Sequence, residues 1–575
     1  MNKVTASSNK SASVFRETLS AILHQNEDTE FGKRNGFQGI TSYEDFRIKL
    51  PLTDYNSYSE YIVSIIEQGA KNVLSNKSVN AIYTSSGTTA TKLKLIPRTP
   101  PLIDLDVFTQ RTRVTEFVTR KRISAGSTKT GAYVNALVMN SQGVAQRSPD
   151  GIPIGAASAI MIESAISRTI LEGSPWESIT SPHCHLLSNQ DDANFVTLVF
   201  ALEKESLEVF SGSFISSLVC LFATLEKRWP DIVRAIRDGN IFEPYLSNTK
   251  STTDNLVHIN SALASNPSRA DQLELILSAA ATSSYSGVAR VLWSNLYLVS
   301  CLAGGTFASY IPVLRHWLGN DVAVYSPCMV GSEGSYGINL WPGEKISEYA
   351  FNFDSIFLEF IPDYKMEDEA PETLEVDQLK LGHAYEIVLT TFDGLCRYRV
   401  GDVIRVLDVL KESPTFDIEY RRGSLLNIVN EFTTEFHIYE ALRKTMEISN
   451  LKASRLVEFT SVVDLSMQPA RYIIYIEISV DLLEVNHLTE LIISPKFQDV
   501  FDKKLQVSNP IYQQKRDTDR IGAPIIHLVI PGAFAALKAG AVKIGTAAVQ
   551  YKTPHLLTTS TQKNLMENLL IVGSA

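Results

Sequence analysis

Three runs between Ile356 and Val406 decide most of what this chain can become. FLEFIP, YEIVLTTF and VIRVLDVL are rich in β-branched and aromatic residues, which suit a pleated, half-buried surface and predict strands. The charged segment MEDEAPETLEVD separates the first two and reads as a solvated turn. A composition shift follows Arg422-Gly423, and beyond it strand and helix patterns alternate as in a separate small domain. There, Arg471 to Val480 (RYIIYIEISV) predicts a strand and IIHLVI another. Ser494-Pro495 supplies an N-cap with proline at the first helical position, followed by a buried face of Phe497, Val500 and Phe501. Leu565, Met566, Leu569 and Leu570 predict a terminal helix. At the other end, Val14, Phe15, Leu19, Ile22 and Leu23 recur at helical spacing. Val79, Ala81 and Tyr83 then alternate as in a strand that runs into a Ser/Thr/Gly loop.

With 575 residues the chain exceeds one core, since cores stop growing beyond about 250–300 residues. The expected fold is α/β: a large mixed α/β domain over 1–422, a hinge at 423–435, and a smaller α+β domain over 436–575. A net charge of −10 argues against a nucleic-acid partner, which would need clustered Lys and Arg. The polar start, Met1 to Ser13, shows no secretory signal, and the best apolar stretch, Phe214 to Leu225, is too short to span a bilayer. The five cysteines are scattered without a C-x-x-C pair, so a reducing cytoplasm is expected; the acidic balance and the lack of an apolar anchor make a soluble monomer with no membrane partner the expectation.

Three segments could carry chemistry. The first, Tyr83 to Lys94 (YTSSGTTATKLK), places hydroxyls around Gly87 after a strand. Such backbone N–H groups and hydroxyls suit phosphate oxygens, with Lys94 adding charge. It is not a Walker A loop, and taken alone it reads more simply as an exposed turn. The second, Met329 to Asn339 (MVGSEGSYGIN), isolates one carboxylate, Glu333, among small residues. Magnesium on a triphosphate needs just one or two protein carboxylates; a turn glutamate is the plainer alternative. The third, Gly394 to Val403 (GLCRYRVGDV), puts Asp402 after a glycine between two strands. It could take both ribose hydroxyls, or simply close a tight turn.

In order and content these segments resemble the GH3 family of acyl acid amido synthetases, relatives of the firefly-luciferase-like adenylating enzymes. The family's Ser-Ser-Gly-Thr with a downstream lysine is matched by Ser85, Ser86, Gly87, Thr88 and Lys94, and Tyr-Arg-[Val/Leu]-Gly-Asp by Tyr398 to Asp402. Met329 to Glu333 is an altered form of Tyr-[Ala/Gly]-Ser-Ser-Glu, and Gln550-Tyr-Lys-Thr-Pro554 is similar to the C-terminal lysine motif. Gly151 to Gly155, Ile179 to Pro182, Tyr310 to Pro312 and Phe357 to Phe360 also look like family segments.

The resemblance implies Mg-ATP as cofactor, a small carboxylic acid as substrate, and an amino acid or other amine as acceptor of an acyl-adenylate. It makes 1–422 an adenylation domain and 436–575 a mobile one. Ser85, Ser86, Gly87, Thr88, Ser332 and Lys94 would cradle phosphates. Glu333 would hold magnesium, Tyr398 and Asp402 would meet the nucleoside, and Lys552 would reach the phosphates. Arg111 or Arg113, on the helix predicted over Val107 to Arg122, would pair with the acid; Thr306, Phe307 and Tyr336 would line its pocket. As alternatives, both arginines lie on a solvated helical face and the aromatic residues are ordinary core. No protein nucleophile is required, in keeping with the lack of a G-x-S-x-G elbow.

Several positions depart from the pattern. Met329 replaces a tyrosine, Val330-Gly331-Ser332 loses one serine hydroxyl, Thr91 replaces a second loop glycine, Phe432 a lysine, and His555 an arginine. These leave two further readings open: adenylation with a thiol, hydroxyl or polyamine acceptor, and a weakened binder of nucleotide or acid.

Overall fold

The computed structural model describes residues 8–85, 94–100, 105–138, 144–163, 176–187, 189–247, 250–353, 355–410, 413–422, 426, 428, 431, 433–467, 469–479, 485–543, 551, 553–557 and 559–571. Two compact units emerge, a larger one within 1–85 and 94–419 and a smaller one beginning at Tyr420.

Among the described residues the larger unit contains three sheets. A five-stranded parallel sheet runs in the order Trp176–Ser178, Tyr133–Val138, Val209–Phe214, Leu298–Leu302, Ala323–Tyr325. Tyr133–Val138 is buried at every position, as a strand of a covered parallel sheet must be. The helix Gln190–Glu203 is buried from Asp192 to Leu202, so its apolar residues run all round rather than along a stripe. Asn189 caps it, accepting from the Asp191 and Asp192 amides at 2.8 and 3.2 Å. The neighbouring helix Ile215–Asp238 packs into the same core. This α/β layer fills most of the stretch from about 150 to 320, where short apolar runs and helical patterns mix in the sequence without an obvious boundary.

The second sheet has seven strands, ordered Cys328–Val330, Ser335–Ile338, Tyr349–Phe351, Ser413–Arg421, Tyr398–Leu410, Ala384–Thr391, Ile356–Pro362. The helix Ser8–Asn26 lays Phe15 edge-on against Phe353 and Phe357, with ring centroids 4.5 and 6.1 Å apart. A four-stranded sheet carries the hairpin Ala81–Ser85 with Lys94–Arg98, then Pro153–Gly155 and Val144–Arg147. In the smaller unit, strands Leu456–Asp464, Arg471–Ile478 and Ile525–Leu528 form one sheet, with helices Glu435–Ile448 and Pro495–Ser508 contributing to the core. Ser494 caps the latter by accepting from the Phe497 amide. No helix among the described residues is long and apolar enough to cross a membrane.

Three local expectations change. Asp402 does not sit in a turn between strands: Tyr398–Leu410 is one continuous strand. Opposite it, Val388 faces Arg399 while Glu386 faces Val403, and the bulge this creates holds Gly401 at φ 86°. A bulge with a glycine in the left-handed region re-aims the strand without ending it. The acidic segment after Met366 is solvated only in its first half. Leu374 bridges Phe360, Val376 is buried, and Glu375 accepts from Arg16 Nε at 2.8 Å. The terminal helix spans Ser560–Asn568 and stops before Leu569 and Leu570, because Leu570 pairs with Val529 as a β-bridge.

Candidate active site

Hairpin pairing sets Lys94 opposite Ser85. The intervening loop, with Ser86, Gly87, Thr88 and Thr91, lies outside the described residues, and Ser85 is described for its backbone alone. The Lys94 ammonium donates to Tyr398 Oη at 3.3 Å. It sits 5.8 Å from the Tyr398 ring centroid and 5.9 Å from that of Tyr55, within cation–π range. The first and third sequence segments therefore meet at one contact.

The strand behind that contact is held by buried polar groups. Arg397, with φ 46°, is a non-glycine residue in the left-handed region, a conformation that persists only where its surroundings enforce it. Its guanidinium donates to both Glu359 oxygens, at 3.0 and 3.1 Å, and to the Leu50 carbonyl at 2.7 Å. The Tyr58 hydroxyl accepts from the Cys396 amide at 2.8 Å and donates to the Cys396 carbonyl at 2.9 Å; burial pushes its pKa well up. Gly394 must be glycine: a Cβ there would lie 2.2 Å from the Leu74 carbonyl oxygen, with φ at 101°. Beyond the bulge Asp402 is buried, and Arg399 forms a two-bond pair with Glu386 at 2.5 and 3.1 Å.

Glu333 lies in the short connection between Val330 and Ser335 and is 3% exposed. One carboxylate oxygen accepts from Ser332 Oγ at 2.9 Å; the other, Oε1, is buried with no hydrogen-bond partner among the described residues. A buried lone oxygen of this kind is costly unless something binds it. Arg98 ties this turn to the hairpin, donating to the Ser332 carbonyl at 3.2 Å and pairing with Asp393 at 3.2 Å. Asp393 also accepts from the Thr99 amide and hydroxyl, both at 2.7 Å. Gly331 has a steric reason: a Cβ there would fall 2.1 Å from Tyr336 Oη and 3.0 Å from Glu333 Oε2. Met329, fully in the core, packs in the same apolar cluster as Tyr336.

On the helix Leu105–Ser124 the two candidate arginines diverge. Arg113 pairs with Glu116 one turn on, at 3.2 Å, with its side chain 36% exposed. Arg111 instead lies 4.6 Å from the Trp176 ring centroid, and its buried Nε has no hydrogen-bond partner among the described residues. Desolvation lowers the Arg111 pKa from its ordinary value. Phe307 is buried and packs against Phe214 with centroids 5.0 Å apart, while Tyr336 is fully buried. The Thr306 side chain lies outside the described set.

In the smaller unit, Lys552 and Phe432 lie outside the described residues. The chain just beyond Lys552 is pinned down: Thr460 and Ser461 donate to the carbonyls of Pro554 and His555. His555 stacks on Phe459 at 4.3 Å, bonds the Phe459 carbonyl through Nδ1 at 2.9 Å, and brings Nε2 to 3.7 Å from Glu435.

Sequence reasoning missed Tyr55, Tyr58, Arg98 and Asp393. Each acts through a partner distant along the chain, and none stands in a local pattern that announces it.

The chain matches the GH3 family N-terminal domain over residues 1–323, the central domain over 349–421 and the C-terminal domain over 436–561. It is 28% identical over 564 residues to the indole-3-acetic acid-amido synthetase GH3.5 of Arabidopsis thaliana, covering 94% of this chain and 88% of that protein. With the jasmonoyl-L-amino acid synthetase JAR4 of Nicotiana attenuata it shares 27% identity, covering 94% and 90%. Its fold superposes on the solved GH3.15 acyl acid amido synthetase in complex with 2,4-DB with a TM-score of 0.79, at 24% identity, covering 99% and 95%.

Proposed function

Because the chain belongs to the GH3 family, we propose that it is an ATP-dependent acyl acid amido synthetase, joining a small carboxylic acid to an amino acid through an acyl-adenylate. The relatives named for indole-3-acetic acid and jasmonoyl conjugation point to hormone-like, aromatic, indolic or fatty acids. A carboxylate is a poor acylating agent, so its oxygen first attacks the α-phosphorus of ATP and pyrophosphate departs. The amine nitrogen then attacks the acyl carbon, the acyl C–O bond to AMP breaks, and the amine proton is lost. Positioning and charge stabilisation suffice for both steps.

One observation carries the reading. Lys94, Tyr398 and the Glu333 oxygen that has no hydrogen-bond partner among the described residues, drawn from three separate sequence segments, belong to a single unit whose buried contacts tie those segments together. In this assignment Lys94 and the loop Ser85 to Thr88, with Ser332, hold the phosphates, and Tyr398 and Asp402 hold the nucleoside. Glu333 fits a magnesium site of the one-carboxylate kind, with an oxygen to spare; magnesium there would offset phosphate charge. Arg111 faces the acid, since its guanidinium still has hydrogen-bonding capacity that Arg113 commits to Glu116. Phe307, Tyr336 and Thr306 back the acyl pocket, and Lys552 acts on the phosphates from a mobile domain at 436–575, swung about 423–435. All five cysteines are free thiols, which suits a cytoplasmic protein; we take it as a monomer.

The test is acid-dependent exchange of pyrophosphate into ATP, over a panel of aromatic, indolic and fatty acids, followed by an amine screen with the best acid. Exchange and an amide product are expected. ATP binding without exchange for any acid would defeat the ligase reading.

A further inference from the structure

Lysine is a poor choice for a fixed charge, because its flexible stem loses rotamer freedom whenever the ammonium is held in one place. Lys94 borders the phosphate-loop candidate, and its surroundings solve that problem. The segment Asp54 to Tyr58 is a short 3-10 turn closed by a reciprocal cap: Asp54 accepts from the Ser57 amide at 3.2 Å and Ser57 Oγ accepts from the Asp54 amide at 3.3 Å.

This turn touches both strands that matter. On one side Tyr55 Oη accepts from the Leu95 amide at 2.9 Å, fixing the backbone beside Lys94, and its ring faces the ammonium. On the other side Tyr58 holds the Cys396 peptide, and Thr53 exchanges backbone bonds with Arg397 and Arg399, both at 2.9 Å, around Tyr398. The two rings that flank Lys94 thus belong to elements locked to each other through one turn. Tyr55 itself is half-buried, and its hydroxyl pKa is raised by desolvation, so the phenol keeps its proton at neutral pH.

We propose that Tyr55 is a positioning residue for Lys94, holding the ammonium and the adjoining backbone in the conformation that receives the ATP phosphates. The assignment rests on the ligase reading of the site. Tyr55 touches no reacting atom. It acts by lowering the ordering cost that ATP binding would otherwise meet, which is the general effect of preorganisation.

A double-mutant cycle on the full chain tests this, reading Mg-ATP binding by calorimetry and the KM for ATP and for acid in pyrophosphate exchange. Tyr55→Leu should weaken Mg-ATP by about fivefold to tenfold, one hydrogen bond plus one cation–π contact. The KM for acid should stay within about twofold, inside the error of additivity. In a Lys94→Met background the same change should cost less than about twofold. Tyr55→Phe, which keeps the ring and only strips the acceptor from Leu95, should show about fivefold or less and guards against a leucine variant that fails to fold. Equal losses from Tyr55→Leu with and without Lys94, or no loss in either tyrosine variant, would overturn the proposal. ATP binding that follows the cycle while no acid supports exchange would support Tyr55 and sink the ligase reading instead.

Discussion

Removing the carboxylate of Glu359 should unfold the larger unit more readily than any surface change. Glu359 is the counter-charge of Arg397, with side chains 1% and 7% exposed. It accepts the two guanidinium bonds, a third from Tyr43 Oη at 3.1 Å and a fourth from Thr373 Oγ1 at 2.6 Å. In Glu359→Ala, Arg397 keeps its bonds to the Leu50 and Arg47 carbonyls and to Thr373 but loses the carboxylate that balances its charge. A buried charge stripped of its partner costs about 3–5 kcal/mol. With an m-value of about 3 kcal/mol per molar urea, the midpoint should fall by roughly 1–1.7 M. All five tryptophans, at 176, 229, 293, 317 and 341, lie in this unit, so tryptophan emission follows its unfolding alone. The KM for ATP should rise as well, since Arg397 immediately precedes Tyr398. Glu359→Gln, which keeps the acceptor on one side, should fall between wild type and alanine. A midpoint for Glu359→Ala within about 0.3 M of wild type would mean that Arg397 is not held by burial and charge, and its backbone conformation would then need another cause.

Asp417 gives a pH test. Burial is the main cause that pushes its pKa from 3.8 up to about 6, while Ser347 Oγ, donating at 2.7 Å, opposes it. A raised carboxyl favours the protonated fold, so its contribution is complete below pH 3.8 and lost as pH rises through 6. Asp417→Asn should match wild type near pH 4 and exceed it by about 1–2 kcal/mol above pH 6, after discounting for partial exposure; equal stability at both pH values in urea titrations would refute this. Gly331→Ser should destabilise by about 1–3 kcal/mol through overpacking against Tyr336, with partial recovery in the Tyr336→Phe background, measured by the same emission midpoint. Arg111→Lys should raise the KM for acid at least about tenfold, the value of a charged hydrogen bond, with the KM for ATP little changed; an unchanged acid KM would remove Arg111 from the site.

The three candidate segments and the strands at Ala81–Ser85, Ile356–Pro362, Ala384–Thr391, Tyr398–Leu410, Arg471–Ile478 and Ile525–Leu528 were legible in the sequence, because each depends on local composition. FLEFIP is buried throughout and YEIVLTTF up to Thr391, and Ser494-Pro495 caps a helix by its own chemistry. What escaped was long-range. Asp402 follows a glycine, and from sequence a glycine-aspartate pair reads as a turn; only the neighbouring strand shows that the chain bulges and continues. Leu569 and Leu570 fit a helical stripe, but pairing with Val529 outweighed propensity. Tyr55 and Arg98 act on residues 40 and 234 positions away, a separation at which no periodicity speaks.

The close approach of Tyr336 Oη to Gly331 also constrains the history open to this chain. A Cβ at 331 and the Tyr336 hydroxyl compete for the same space, and Glu333 Oε2, which would lie 3.0 Å from that Cβ, crowds the position further. A chain that gains a serine at 331 before losing the tyrosine carries an overpacking cost of about 1–3 kcal/mol in between. Substitutions transplanted singly between relatives at these two positions will therefore mislead, and the pair must be moved as a unit.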